Sequence, residues 1–436
     1  DPQEAFAARS LLARAAQQLE AALSLDAGRG DVRGHLLDTL HERARLAERA
    51  GRDALTVQDQ VDRMKLHDHS GAHLERWTAP AQLRVTSDPP GAQVTLERYV
   101  VDDGRLRADA MNVLGVTPLA PQTLPVGSYR LRFVAPGRTS VDYPILLGRA
   151  ESLDVAVALP AAGAVPDGYI HVPAGRFLYG SRDIEGIRRL LNAEPIHAVE
   201  TGPYLIGRDE VTWADYIAYI EAQTPEQRAE ILKAALGGPA QLEARAEGGW
   251  GLSLTINTRQ YTVDPGVALV YEGRAQRASA AWERLPLSGI SGSDARAYLA
   301  WLDRSGRMPG ARYCSEYEWE RAARGADGRS FAAGDILRPE DANFDLTYGK
   351  VEGAFGPDPV GSYPHVVSPF GLRDTDGNVY ELTVSPHHGG AIVLRGGAFF
   401  YAEIQARTPA RVPFPASWRD TAVGLRVCAT WPQHIP

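Results

Sequence analysis

The chain has 436 residues, of which 44% are hydrophobic and 23% charged, a composition that indicates a soluble protein of two or three domains. A net charge of −8, with no basic stripe, argues against nucleic acid or an acidic membrane surface as a partner. No apolar run is long enough to span a bilayer, so direct membrane insertion is not expected. The two cysteines, Cys314 and Cys428, fit no metal pattern and are expected to be buried free thiols. Because the chain begins at Asp1 rather than methionine, either an artificial boundary at this point or a further domain upstream is expected.

Residues 1–79 are expected to form an α-helical module. Apolar residues recur there at helical spacing, namely Leu11, Leu12, Ala15, Leu19, Leu23, Leu36, Leu37, Leu40 and Ala44. The pattern predicts three or so antiparallel helices that resemble a degenerate tetratricopeptide hairpin array. A partner-binding or spacer module and a simple helical cap on the next domain both stay open.

In residues 80–160 the apolar period changes to two, which predicts a small antiparallel β-sandwich. Turn residues separate the strands, as in the sequences SDPPG at 87–91 and APG at 135–137. The order of these turns resembles PEGA-type domains, which implies an extracytoplasmic or linker module of a bacterial signalling protein without chemistry of its own. A linker rich in Ala, Pro and Gly follows at 160–168.

The third domain, residues 169–432, carries several motifs in a fixed order. They are YIHVPAGRF at 169–177, DEVT at 209–212, RYCSEYEWERAARG at 312–325, LRGGAFFY at 394–401 and GLRV at 424–427. Together they resemble formylglycine-generating enzymes, also called sulfatase-modifying factors. The resemblance implies an α+β domain with a C-type-lectin-like fold, behind the helical module and the sandwich. Residues 221–284 have no close counterpart in that family and are expected to be an insertion, either a lid or a decoration.

The motif at 312–325 also predicts a helix start on physical grounds. Ser315 and Glu318 have the spacing of a capping box, and Trp319 and Ala323 then form an apolar stripe.

The oxidases of this family bind copper through two cysteines, and the aligned positions here are Tyr401 and Ala406. Copper(I) prefers thiolates, which neither a phenol nor a methyl group can replace. The sequence therefore predicts no copper and no oxidase activity. It also lacks the nucleophile elbow, the P-loop, the kinase catalytic loop and the zincin motif, so no catalytic residues are predicted.

The segment after the paired glycines lines the substrate groove in the family. Here it is rich in aromatic residues and arginine, which are typical of binding hot spots: Phe399, Phe400, Tyr401, Glu403, Arg407, Arg411, Phe414, Trp418 and Arg419. We expect these residues to bind a protein or peptide partner. Alternatively, Arg407 and Arg411 support the fold from inside and some of the aromatic residues are buried.

A calcium site is expected at DTDGNVYE, residues 374–381, which resembles a calcium-binding loop of the family. The resemblance implies carboxylate oxygens from Asp374 and Glu381 and carbonyl oxygens from Gly377 and Val379 as ligands. The alternative is a calcium-free turn in which Asp374 and Glu381 accept hydrogen bonds from amides.

A second family calcium site begins at Asn343 and Phe344. Its last ligand is left open between Asp358 and Glu352. Calcium at these sites would be structural.

A cluster of His67, His69, His73 and Glu75 resembles the iron motif of sulfoxide synthases. However, the related H-E-x-x-H motif is missing and Ser70 and Gly71 interrupt the helix, which favours solvated histidines at a helix end.

The leading functional hypothesis is a non-catalytic ligand- or protein-binding scaffold, the regulatory C-terminal part of a bacterial serine/threonine kinase. One alternative is a variable ligand-binding protein of a diversity-generating retroelement. The other is a metal-dependent oxidase or sulfoxide-synthase-like enzyme of altered mechanism. With a soluble kinase upstream, a cytoplasmic location is expected, and a membrane span before Asp1 would reverse that expectation.

Overall fold

The structure, a computed structural model, describes residues 2–49, 54–109, 111–387 and 389–432. The N-terminal module contains four helices where the sequence predicts three or so. They are α1 (Pro2–Leu25), α2 (Gly30–Arg49), α3 (Ala54–His67) and α4 (Ala72–Thr78). Their apolar faces meet around Leu36, Leu40, Met64 and Trp77. No helix in the described ranges has the length and apolar character needed to cross a membrane.

The second unit is a β-sandwich with a hydrocarbon core. Its strands are β1 (Ala81–Asp88), β2 (Gln93–Asp102), β3 (Arg105–Ala108), β4 (Asn112–Val116), β5 (Gln122–Leu124), β6 (Gly127–Val134), β7 (Val141–Leu147) and β8 (Ser152–Ala158). One sheet has the order β5-β1-β8 and the other β3-β2-β6-β7, with β4 beside β2. Alternate residues such as Leu131 and Phe133 fill the space between the sheets.

The prediction of a purely antiparallel sandwich is wrong at one pair of strands. β1 and β8 are parallel, from Gln82 opposite Ser152 to Asp88 opposite Ala158. A short hairpin imposes antiparallel pairing only on consecutive strands of one sheet. β8 follows β7 of the opposite sheet and reaches β1 by a crossover, so it runs in the same direction as β1.

The C-terminal unit is built on an eight-stranded sheet. Its first elements are β9 (Tyr169–Val172), β10 (Gly175–Tyr179), α5 (Glu185–Leu190), β11 (His197–Thr201), β12 (Tyr204–Gly207) and α6 (Trp213–Glu221). After the insertion come α8 (Gly292–Arg304), β18 (Ala311–Ser315), α9 (Glu316–Arg324), β19 (Tyr380–Val384), β20 (Ile392–Arg395), α10 (Glu403–Ala406), β21 (Val412–Pro413), β22 (Val423–Gly424) and β23 (Val427–Thr430). The strand order in the sheet is β21-β20-β19-β18-β23-β12-β9, with β22 paired to β19.

The capping box predicted for α9 is confirmed. The Ser315 hydroxyl accepts a hydrogen bond from the Glu318 amide, and the Glu318 carboxylate accepts one from the Ser315 amide. This cap fixes the start of α9, so that Trp319 points into the core while Glu316 and Glu320 are buried beside β20.

Between α6 and α8 the chain forms a helix and a small antiparallel meander. The elements are α7 (Pro225–Ala234), β13 (Ala240–Ala244), β14 (Trp250–Ile256), β15 (Arg259–Val263), β16 (Leu269–Val270), β17 (Ser279–Ala280) and a 3-10 turn at Trp282–Arg284. Leu252, Leu254 and Trp282 join the main core of the C-terminal unit. The insertion is therefore packed onto the domain rather than suspended from it.

The expectation of two free thiols is wrong. Cys314 on β18 and Cys428 on β23 form a disulfide, with their Cα atoms 4.8 Å apart and 114 residues of sequence separation. The two strands are neighbours in the sheet, which brings together cysteines that no local spacing relates.

Polar contacts join the sandwich to the C-terminal unit. The Ser128 hydroxyl donates to Asp327 over 2.6 Å, the Leu106 amide donates to the Ala333 carbonyl over 2.7 Å, and Arg105 pairs with Asp341 over 2.6 Å. These contacts place the edge of the sandwich beside the loop that leads from α9 to β19.

Candidate functional site

The segment that follows β20 folds back on itself directly after the paired glycines. Gly396 and Gly397 have φ angles of 90° and 76°, in the left-handed region that favours glycine. A Cβ on Gly397 would lie 2.6 Å from the Cα of Ala406, so only glycine allows this close approach. We call residues 398–419, which this turn begins, the groove wall.

The two positions that the family resemblance aligns with copper-binding cysteines lie on the groove wall. Ala406 is buried against Phe331 and Phe344. Tyr401 is half-buried, with its ring centroid 5.1 Å from that of Tyr380, and burial raises the pKa of its phenol above the ordinary value. A methyl group and a protonated phenol do not fit copper(I), and both cysteines of the sequence are bonded to each other elsewhere in the sheet.

The three arginines expected to bind a ligand are paired with carboxylates of the domain itself. Arg407 donates to Asp183 over 2.9 Å, Arg411 forms a bidentate pair with Glu316 at 2.6 and 2.8 Å, and Arg419 pairs with Asp294. Arg411 and Arg419 thereby fasten the groove wall to the starts of α9 and α8. This geometry favours the alternative in which these arginines support the fold.

The aromatic residues of the groove wall divide into a buried and an exposed set. Phe399 is 2% exposed and belongs to the core, whereas Phe400 is 43% exposed and Trp418 63% exposed. Phe400 packs against Phe355, with 5.0 Å between ring centroids. Trp418 packs against Phe414, with 6.3 Å between ring centroids. Phe400 and Tyr401 are adjacent rings, 5.9 Å apart, and Glu403 is exposed just beyond them. The candidate binding residues that the groove wall exposes are therefore aromatic side chains and one carboxylate.

A buried ionic network behind the groove wall was not predicted from the sequence. Arg395, fully buried, pairs with Glu316 at 3.2 Å and with Glu320, and it donates to the Thr408 carbonyl at 2.7 Å. A signal was present in the sequence, because Glu316 and Glu320 stand four residues apart and so share one face of α9. Their partner, 75 residues further along the chain from Glu320, could not be read from local spacing.

In the loop at 374–381, the two carboxylates expected to bind calcium accept hydrogen bonds from within the domain. Both oxygens of Glu381 accept hydrogen bonds from Arg426, at 2.5 and 2.8 Å. One of them also accepts from the indole nitrogen of Trp319, at 2.5 Å. Asp374 accepts a hydrogen bond from the Gly361 amide at 2.5 Å, and its burial raises the pKa to about 6. Glu381 is thus held between Arg426 and Trp319 in the core of the domain.

The two carbonyl ligands expected in the same loop belong to a tightly packed turn. A Cβ on Gly377 would lie 2.4 Å from the carbonyl oxygen of Asn343, and the Val379 amide donates to the buried Glu210 at 3.2 Å. The nearby Asp376 keeps one oxygen without a hydrogen-bond partner, and burial raises its pKa to about 7. In the described part of the chain, no three acidic, histidine or cysteine residues are grouped so that they could hold a metal ion.

At the second expected calcium position the structure brings Asn343 and Asp358 together. The side-chain amide of Asn343 donates to the Gly356 carbonyl at 2.9 Å. The side-chain oxygen of Asn378 accepts from the backbone amide of Asp358 at 2.8 Å. Phe344 is buried, and its amide donates to Thr347. Of the two acids left open for this position, Glu352 is exposed and Asp358 is fully buried. The partner of Asp358 is Arg274 of the insertion, 2.6 Å away.

The histidine cluster of the N-terminal module is not drawn into a site. His73 lies 3.3 Å from Asp38 on α2. His69 and Glu75 are exposed, at the break between α3 and α4. The helix end therefore presents separate polar side chains rather than converging ligands.

The C-terminal unit, with its sheet and groove wall, matches a known family of protein domains. Residues 157–431 match the sulfatase-modifying factor enzyme 1-like domain. The match covers more than half of the chain, and the chain belongs to this family.

Three curated relatives span part of this region. The formylglycine-generating enzyme of Mycobacterium tuberculosis is 35% identical over 114 residues, 24% of this chain and 35% of that protein. The serine/threonine-protein kinase pkn1 of Chlamydia caviae is 25% identical over 215 residues, 49% of this chain and 26% of the kinase. The hercynine oxygenase of Mycolicibacterium smegmatis is 27% identical over 241 residues, 54% of this chain and 49% of the enzyme. The chain thus spans about half, or less, of the length of each relative.

Among solved structures, PvdO from Pseudomonas aeruginosa is similar over 60% of this chain and 94% of its own, at 23% identity and a TM-score of 0.43.

Proposed function

We propose that this chain is a non-catalytic ligand- or protein-binding region of a bacterial signalling protein. The observation that supports this most directly is the replacement of both copper-binding positions of the family by Tyr401 and Ala406. With the two cysteines joined in a disulfide, the groove wall has no thiolate with which to bind copper(I) and activate oxygen.

The similarity to the kinase pkn1 supports a more specific proposal, that the region regulates a serine/threonine kinase. The matched segment covers half of this chain and only a quarter of that kinase, as expected for an accessory part of a larger protein. In such a protein the family domain would recruit or sense a partner, and phosphoryl transfer would take place elsewhere.

The partner surface that we propose consists of Phe400, Tyr401, Glu403 and Trp418. These side chains are wholly or partly exposed, and large aromatic side chains bury much apolar area at a small cost in conformational entropy. The ion pairs of Arg411 and Arg419 lie on either side of Trp418, so the backbone that carries this residue is held in place before a partner arrives.

A pull-down tests this surface. The whole chain is cross-linked to its partners inside its native bacterium and is then purified together with them. The test variant changes Phe400, Tyr401 and Trp418 to Ala. A matched control changes Ile184, Leu190 and Val270, which are exposed apolar residues of the same domain, to Ala. We expect one partner to be retained by the wild type and the control and lost by the test variant. Equal retention by all three proteins would rule out this surface.

A second candidate function is that of a metal-dependent oxidase, favoured by the similarity to hercynine oxygenase, which covers more of the chain than the other two relatives. Such an enzyme would need an iron or copper site. Metal analysis of the purified chain separates the two proposals, because stoichiometric iron or copper supports the oxidase and an absence of both supports the binding region.

For the location of the protein, the Cys314–Cys428 disulfide favours an oxidising compartment over the cytoplasm that a soluble kinase would imply. We propose that the region functions outside the cytoplasm. Blocking free thiols in intact cells before lysis tests this, because a cytoplasmic protein would be labelled at both cysteines.

A further inference from the structure

Arg274, which belongs to the insertion, is buried in the loop that begins at Asn343. Its side chain is 0% exposed and that of Asp358 is 1% exposed. A buried arginine must have its charge and its donors satisfied, because desolvation of an unpaired guanidinium is very costly. Its partners therefore show what this loop is built to hold.

The partners of Arg274 are all oxygen atoms. Its nitrogens donate at 2.6 Å to a carboxylate oxygen of Asp358, at 2.6 Å to the Ala354 carbonyl and at 2.6 Å to the Gly356 carbonyl, with a longer contact of 3.4 Å to the Arg277 carbonyl. A carboxylate with several backbone carbonyls is also the ligand set that calcium prefers. The loop thus surrounds a positive charge with hard oxygen donors, and that charge is a guanidinium.

Two tyrosine rings close the faces of the guanidinium. Its carbon atom lies 3.7 Å from the ring centroid of Tyr271 and 3.9 Å from that of Tyr348. A planar guanidinium stacks favourably between aromatic faces, whereas a hydrated divalent cation does not. The pocket is therefore shaped for an arginine side chain.

Three donors already occupy the two oxygens of Asp358. One oxygen accepts from Arg274 and the other from the Tyr363 hydroxyl at 2.8 Å, while the single hydroxyl hydrogen of Tyr348 is shared between them, at 2.9 and 2.7 Å. A calcium ion on this carboxylate would have to displace these donors and lie beside a fixed positive charge.

We propose that Arg274 is a built-in cation that takes the place of calcium at the Asn343–Asp358 position and fastens the insertion to this loop. The family resemblance implies a divalent cation here, and the residues of this chain do not fit one. Arg274 acts as a positioning residue. Phe355, whose two neighbours supply the carbonyls that Arg274 binds, packs on the exposed Phe400 of the groove wall.

The experiment compares the wild type, Arg274→Ala and Arg274→Lys in EDTA and in millimolar calcium chloride. Thermal unfolding gives the stability, and hydrogen–deuterium exchange over residues 343–363 locates any effect. We expect the wild type to behave alike in both solutions. Arg274→Ala should melt several degrees lower in EDTA and recover part of that loss in calcium, with slower exchange in the loop, because the emptied oxygen cage can accept the ion. Arg245→Ala is the matched control, because this arginine of the same insertion pairs with Glu243 and Asp264 outside the loop, and it should respond to neither condition.

Calcium-dependent protection of residues 343–363 in the wild type would overturn the proposal. A folded Arg274→Ala that gains no protection from calcium would overturn it as well. If Arg274→Ala does not fold, Arg274→Lys decides. It keeps the charge but loses the planar fork, so it should be less stable than the wild type and still indifferent to calcium. Protection of the loop by calcium in this variant would contradict the proposal.

Discussion

The β-sandwich and the C-terminal unit are stabilised by different interiors. In the sandwich, the core strands meet through hydrocarbon side chains such as Leu131 and Phe133, and Thr117 is the one buried polar residue in the part described between 80 and 160. The C-terminal unit instead buries six arginines, Arg274, Arg321, Arg324, Arg329, Arg395 and Arg426. A hydrophobic core tolerates the exchange of one apolar side chain for another of similar size. Removal of one partner of a buried ion pair leaves an unpaired buried charge, which is strongly destabilising. The C-terminal unit should therefore be the more sensitive to single charge changes.

The largest expected effect is that of Arg395→Met. The change leaves Glu316 and Glu320 buried without this partner, and we expect unfolding to require about 4 kcal/mol less. Urea denaturation followed by tryptophan fluorescence reports it, because the tryptophans other than Trp77 all follow residue 212. Arg189→Met, which removes an exposed pair with Glu185, is the control and should change stability by less than about 0.5 kcal/mol. Equal effects of the two substitutions would show that the buried network contributes no more to stability than an exposed ion pair does.

Removal of the disulfide tests whether the C-terminal unit also depends on its one covalent cross-link. Changing Cys314 and Cys428 together to Ser should lower the free energy of unfolding by about 3 to 4 kcal/mol, because the bond closes a long loop in the unfolded chain. Thiol titration of the denatured, unreduced wild type should find no free thiol, and two after reduction. Two thiols before reduction would restore the expectation from the sequence.

Leu131→Ala tests the sandwich. The lost packing should cost about 3 kcal/mol, and the damage should stay within the strands between Ala81 and Ala158. Because no tryptophan lies in this unit, hydrogen–deuterium exchange is the suitable measurement. An equal rise in exchange throughout the C-terminal unit would show that the two interiors are one cooperative body.

The smallest of these effects depends on pH. His171 is buried, its two ring nitrogens have no hydrogen-bond partner within the described structure, and desolvation lowers its pKa to about 4. Between pH 6.5 and 4 the unfolded imidazole binds a proton that the folded one does not, so stability is full above pH 6.5 and falls toward pH 4. Urea unfolding at pH 7.5 and at pH 4.5 measures how much the free energy of unfolding falls between the two. In His171→Phe this fall should be smaller by about 2 kcal/mol. An unchanged pH dependence would show that His171 is not buried in its neutral form.

The two interiors also explain what could be predicted from the sequence. Strands in the sandwich followed from a period of two, and the start of α9 followed from Ser315 and Glu318, because these signals are local. The pairs Arg274–Asp358, Arg395–Glu320 and Cys314–Cys428 join residues 75 or more positions apart. No spacing rule relates such partners, so the expectation of free thiols was wrong and the ion pair of Glu381 with Arg426 was not foreseen. Family motifs placed the groove wall, but only the structure showed that its arginines are already paired.

The most direct test of the account is a peptide oxidation assay. The purified chain, supplied with copper(I) and oxygen, is incubated with a sulfatase-type cysteine peptide, and the peptide mass is followed with the formylglycine-generating enzyme of Mycobacterium tuberculosis as the positive control. We expect an unchanged peptide, because Tyr401 and Ala406 provide no thiolate. Conversion of the cysteine to an aldehyde by the wild-type chain would contradict it.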